Sequence, residues 1–253
     1  MNTNSCLAVA VIDLGDFSRP EMQGAAARFA QRKLGGSPLI VRMARRLSDC
    51  AQVDQVYVVG SNIPCSLLTS GIAGVRSINL PSAHVCERLC AAADDSGAQW
   101  IVHVPANRPF VDATLIDQLL ANAKRSNDCD YVGYASGGGD RRRMDHLGLA
   151  GEACHEDTLR RLRRNADRLP AEEAGSIASW LESAPGVFHL RFIPVPTPLD
   201  RDDLRFAVED ETDWDDAQLL CESVVDADSQ WHELTQLVMC NEGLRESMAT
   251  RNV

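Results

Sequence analysis

The sequence predicts an α/β fold, three layers deep, with helices on both faces of a mixed, mostly parallel sheet. Two observations carry this. Short apolar runs alternate with amphipathic helical patterns through the first 135 residues, the rhythm of strand–helix–strand units. The first run, Leu7 to Ile12, is unbroken and β-prone, as expected of a strand covered on both faces.

The elements follow in order. The first strand ends at Asp13-Leu14-Gly15-Asp16, where the chain must turn. Ser37 and Pro38 suit the N-cap and first position of a helix carrying Leu39, Ile40, Met43, Ala44 and Leu47 at helical spacing. Val56 to Val59 reads as a second strand stopped by Gly60, and Val75 to Leu80 as a third. A helix from Ser82 to about Asp95 closes at Gly97. Trp100 to Val104 forms the fourth strand, ended by Pro105, and Asp112 caps the helix of Leu115, Ile116, Leu119 and Leu120. Tyr131 to Tyr134 is the fifth strand.

Beyond Gly137 the rhythm becomes less regular, through about residues 136–200. Helices are expected over Glu156 to Arg164 and Glu172 to Glu182, and an edge strand over Val187 to Val195 with Pro194 at its end. Leu204 to Val208 reads as a short strand, and Asp213 to Val225 and Trp231 to Met248 as helices. There is no internal repeat and no long linker, so residues 1–253 are expected to form one domain.

Composition excludes several classes. At 253 residues, 45% hydrophobic and 24% charged, the chain can bury a full core. A net charge of −11 disfavours nucleic acid as a partner, because phosphate contacts need clustered Lys and Arg. No apolar run reaches the roughly 18 residues of a membrane helix, and the first run lacks the flanks of a signal peptide; a cytoplasmic location and no membrane association are expected. The nine cysteines include no C-x-x-C pair, and point to small buried side chains rather than disulfides or zinc.

In open α/β sheets ligands bind beyond the carboxyl ends of the strands. Three segments there are rich in chemistry: Asp13 to Asp16, Pro105 to Asp112, and Glu209 to Asp213. The chain at this point resembles the cytidylyltransferase family, which activates acidic sugars as CMP-sugars, and especially its spore-coat polysaccharide branch. Gly36-Ser37-Pro38-Leu39-Ile40 stands where that family has G-K-P-L-(I/L), and Asp54 to Val59 resembles its D-x-I-V-V-A strand. Ala106-Asn107-Arg108-Pro109-Phe110-Val111-Asp112 matches G-D-x-P-L-I-D in part, and Pro185-Gly186-Val187-Phe188 matches Pro-x-x-Phe. Leu204-Arg205-Phe206-Ala207-Val208-Glu209 with Asp213 is similar to the closing L-R-x-T-V-D-x-x-x-D.

The resemblance runs through nearly the whole chain and implies a sheet of the nucleotide-diphospho-sugar transferase (Rossmann-like) type. It also implies a Mg²⁺-dependent transfer of CMP from CTP to a small acidic sugar for surface polysaccharide, and a homodimer. By the resemblance Asn107 and Glu209, with Asp13 as a further metal candidate, hold Mg²⁺. Asn107, Glu209, Asp213 and Arg205 serve catalysis. Asp13, Gly15, Arg19, Arg28, Lys33 and Ser61 contact the nucleotide, and Glu152 matches a position that faces the sugar.

The departures fall where that chemistry is concentrated. Asn107 replaces a metal carboxylate by a neutral amide, Glu209 adds a methylene to the second aspartate, and Asp13 and Asp16 replace a basic loop. Plain structural roles compete at each position: Asn107 as a turn residue, the acids at 209–213 as the first turn of a helix, Arg205 as a partner of nearby acids, His103 as a satisfied core histidine. A member that kept the fold and a nucleotide, nucleotide-sugar or protein ligand, but lost transfer, is therefore the alternative.

Overall fold

The computed structural model describes residues 8–15, 29–61, 63, 71–80, 84–125, 128–139, 142–164, 177–182, 186–224 and 229–252. A seven-stranded sheet forms its centre: β1 (Ala8–Asp13), β2 (Gln55–Gly60), β3 (Val75–Asn79), β4 (Trp100–Pro105), β5 (Tyr131–Ala135), β6 (Glu152–His155) and β7 (Leu190–Pro194). Their spatial order is β3-β2-β1-β4-β6-β5-β7. β6 runs antiparallel to both neighbours, and the other pairings are parallel. The mixed, mostly parallel sheet is the one expected.

Alternation along β1 divides the core. Ala8, Ala10 and Ile12 face one layer with Leu39, Met43, Leu115 and Leu119, whereas Val9 and Val11 face the other with Leu89, Cys90, Leu159 and Trp180. All six strand residues of β1 are buried, which is why its sequence shows no polar alternation. The first layer holds α1 (Leu39–Ser48) and α3 (Ala113–Lys124); the second holds α2 (Val85–Ser96), α5 (Glu156–Arg163) and α6 (Ile177–Glu182). Fully burying one leucine in such a layer stabilises by about 1.5–3 kcal/mol.

Several boundaries meet their expected signals. Asp112 caps α3 by accepting from the Thr114 and Leu115 amides, and Gly97 ends α2 at φ 69°. Others are corrected. Ser37 and Pro38 pair with Lys33 and Leu34 in a two-residue antiparallel ribbon, and α1 begins at Leu39. The Leu39 and Ile40 amides donate to the carbonyls of Arg32 and Ala30, so backbone does the work assigned to a capping side chain. The helix expected over 231–248 is two, α8 (Trp231–Cys240) and α9 (Glu242–Arg251), because Asn241 ends one and caps the next. Strand β6 went unforeseen: its four residues, Glu-Ala-Cys-His, carry no β signature. The expected helix over 172–182 is described only as α6, the rest lying outside the described residues.

The largest correction concerns 204–208. This segment has no regular secondary structure and joins no strand of the sheet. The Phe206 and Ala207 amides donate to the His146 carbonyl, and Val208 donates to Asn107. It is a strap across the carboxyl edge, running into α7 (Glu211–Ser223), and is tied to α4 (Arg142–Leu147). Gly148 sits at φ 64°, and a Cβ there would lie 2.4 Å from the Ala207 nitrogen; only glycine permits this approach. No described helix is long and apolar enough to cross a membrane.

Candidate functional site

From β1 the chain builds outward in both directions, to β2 and β3 on one side and to β4 on the other. That reversal between β1 and β4 is the topological switch point where open sheets leave a crevice at their carboxyl edge. The Ala106 amide donates to the Asp13 carbonyl at 3.0 Å, closing its floor. Asn107 follows, its carbonyl fastened to the Val208 amide at 2.8 Å. Its side-chain Oδ1 is buried without a hydrogen-bond partner, a state that costs about 1–3 kcal/mol.

Arg205 organises the strap. Its Nε donates to Asp213 Oδ1 at 2.8 Å, and its Nη2 donates to Asp213 Oδ2 at 3.1 Å and to Glu209 Oε2 at 2.7 Å. Nη1 donates to His146 Nδ1 at 2.7 Å and to Asn252 Oδ1 at 3.3 Å. Because a guanidinium only donates, His146 accepts at Nδ1 and carries its proton on Nε2. The Arg205 guanidinium beside it holds the Glu209 carboxyl below the usual carboxylate range. Asp213 is buried and also meets Arg251 Nε at 3.1 Å and the Glu209 amide.

Asp13 points the other way, into the α2 layer. Arg88 grips it with Nε on Oδ1 at 2.6 Å and Nη2 on Oδ2 at 2.9 Å. His103 bridges it to β6, with Nε2 3.3 Å from Asp13 Oδ2 and Nδ1 3.1 Å from Glu152 Oε1. Tyr131 and the Ile177 amide donate to Glu152. Burial opposes charge here, but the hydrogen bonds to Asp13 and Glu152 win and raise His103 to about 9. In return burial is outweighed at both acids: His103 leads in holding Glu152 at about 2, and Arg88 and His103 hold Asp13 far below the usual range. The four charges cancel within the cluster.

The structure therefore brings Asn107, Glu209, Arg205 and Asp213 together along the strap, while Asp13 and Glu152 face the opposite layer. Gly15 turns the chain at φ 70°, its amide donating to Asp13 Oδ1 at 3.0 Å. Ser61 is buried at the end of β2, and Lys33 is exposed on the ribbon. That ribbon lies beside α7: Arg32 pairs with Glu211 at 2.6 Å and stacks 4.2 Å from the Trp214 ring. Arg19 and Arg28 lie outside the described residues, as does Asp16. His146 and Arg88 escaped the sequence reading, being single residues within helical patterns whose partners lie 59 and 75 positions away.

The residues expected to hold Mg²⁺ do not fit it as arranged. Magnesium takes one or two carboxylates with phosphate oxygens in near-octahedral geometry. Asn107 offers one neutral oxygen, Glu209 is bound by Arg205, and both Asp13 oxygens are taken by Arg88. Among the described residues no group of three or more His, Cys, Asp or Glu side chains is arranged to hold a metal.

Comparison with known proteins places this geometry. No curated protein sequence matches the chain. Among solved structures, a cytidylyltransferase from Leptospira borgpetersenii serovar Hardjo-bovis is similar with a TM-score of 0.73 and 16% identity, over 94% of this chain and 96% of that one. A CMP:2-keto-3-deoxy-manno-octonic acid synthetase complexed with CTP aligns with a TM-score of 0.59 and 15% identity, over 85% and 98%. The molybdopterin-guanine dinucleotide biosynthesis protein A of Archaeoglobus fulgidus aligns with a TM-score of 0.56 and 16% identity, over 86% and 100%. At such identities the likeness is one of fold. The family model described as the MobA-like NTP transferase domain matches residues 24–185, well over half of the chain, and the chain belongs to that family.

Proposed function

We propose that this chain binds CTP at the carboxyl edge between β1 and β4, and transfers CMP from it to a small acidic sugar for surface polysaccharide, another nucleotide being the alternative ligand of the same edge. The observation that carries the reading is Asn107. Its Oδ1 is buried and unpartnered at the switch point, beside the strap, and unsatisfied groups of this kind mark ligand positions. In the transfer a sugar oxygen bonds to the α-phosphorus as the bond to the pyrophosphate oxygen breaks. Arg205 orients His146 so that its Nε2–H donates to an anionic oxygen, and Lys33 supplies positive charge from the ribbon. A cytoplasmic homodimer belongs to the same reading.

A second reading is favoured by one observation: Glu209, Asp213 and Asp13 all sit in arginine pairs at 2.6–2.8 Å. It makes the chain a member of the family that kept nucleotide binding without transfer. Calorimetry with each of the four nucleoside triphosphates tests what both share. Selective CTP binding is expected, and no binding of any nucleotide by a folded sample refutes both. Release of pyrophosphate with an acidic sugar then separates transferase from binding protein.

A further inference from the structure

We infer that this site takes its nucleotide without a divalent cation, with the Arg205 guanidinium standing as the fixed counter-charge to Glu209. The inference rests on the nucleotide reading above and reverses what the resemblance implies about Mg²⁺.

The argument begins with what each acid already holds. Glu209 gives Oε2 to Arg205 at 2.7 Å, and its Oε1 lies 3.7 Å from His146 Nδ1. Asp213 is shut between Arg205, Arg251 and the Glu209 amide. Asp13, only 7% exposed, lies in the opposite layer with both oxygens on Arg88. Asn107 brings no charge. Among the described residues, each carboxylate offered to a metal thus faces a cation of the protein itself.

Arg205 is also unable to step aside. Its side chain is 4% exposed, and its two-pronged bond to Asp213 fixes the guanidinium plane. Swinging away would leave the buried Asp213 short of its main partner, a large penalty. A dication approaching Glu209 therefore meets a fixed positive charge within ion-pair distance of the same carboxylate, and like charges at that range repel strongly. With the methylene it adds over an aspartate, Glu209 reaches Arg205 Nη2 at 2.7 Å.

Two titrations of the full chain decide the matter. CTP is titrated calorimetrically in excess Mg²⁺ and in EDTA, and Mn²⁺ is titrated onto the protein alone while the free-ion paramagnetic resonance signal is followed. Dissociation constants for CTP that agree within about twofold, and a free Mn²⁺ signal that the protein leaves undiminished, are expected. An affinity that falls about tenfold or more in EDTA overturns the inference, as does stoichiometric Mn²⁺ uptake that Glu209→Gln abolishes. Absence of CTP binding in both buffers refutes the nucleotide reading instead, and the Mn²⁺ titration still decides whether the site takes a cation.

Discussion

Asn107 combines two roles that pull apart under mutation. Its backbone carbonyl anchors the strap, whereas its side-chain oxygen is buried and unmatched. Replacing the amide by an apolar group of similar size removes the unmatched acceptor and spares the backbone bond. Asn107→Leu is expected to leave the unfolding free energy unchanged or raise it by about 1 kcal/mol, read from a urea melt, while nucleotide binding falls in calorimetry. Arg88 behaves oppositely. It is 2% exposed and its charge is matched by Asp13, so Arg88→Met strands a buried carboxylate and costs about 3–5 kcal/mol. Adding Asp13→Leu removes the stranded charge and is expected to recover part of the loss. At this scale the sequence singled out Asn107, Arg205, Glu209 and Asp213 through the resemblance, and the Arg205 bonds and the Asn107–Val208 bond bring them together along the strap. It could not show which acids were spent on arginines.

The strap and its anchor are decided at the level of elements. Leu204 to Val208 reads as a strand, since a run of that composition is equally suited to any extended path. Its amides go to His146 and Asn107 instead of a ladder, a choice made by residues about 60 and 100 positions away. Gly148 permits it. Gly148→Ala places a Cβ against Ala207 at a backbone angle that side chains disfavour, so a loss of about 1–3 kcal/mol is expected; a thermal melt checks it. Asp112 links two elements: Oδ1 caps α3, and Oδ2 accepts the Trp231 amide at the start of α8 at 3.0 Å. The sequence shows the first of these, a local cap, and is silent on the second.

For the whole molecule the buried cluster of Asp13, Arg88, His103 and Glu152 ties β1, β4 and β6 to α2. His103 rises from 6.5 to about 9; its contribution is complete below about 6.5 and is lost as pH climbs through 9. Glu152 falls from 4.5 to about 2; its contribution is complete above 4.5 and is lost as pH drops through 2. Stability is therefore expected to be greatest between pH 4.5 and 6.5 and to decline on either side, measured as the urea midpoint across pH. His103→Gln should abolish the alkaline arm of that curve; an unchanged arm would remove His103 from the account.

The sequence by itself determined the sheet's five early strands and its mostly parallel character. These follow from local hydrophobic period and turn residues, which each short window carries in full. Only the tertiary structure decided that β6 inserts antiparallel, that 204–208 becomes a strap, and that the acids of the site pair with Arg88 and Arg205. Those outcomes depend on contacts between residues far apart in the chain, and a buried charge settles on the partner the fold brings within hydrogen-bond reach.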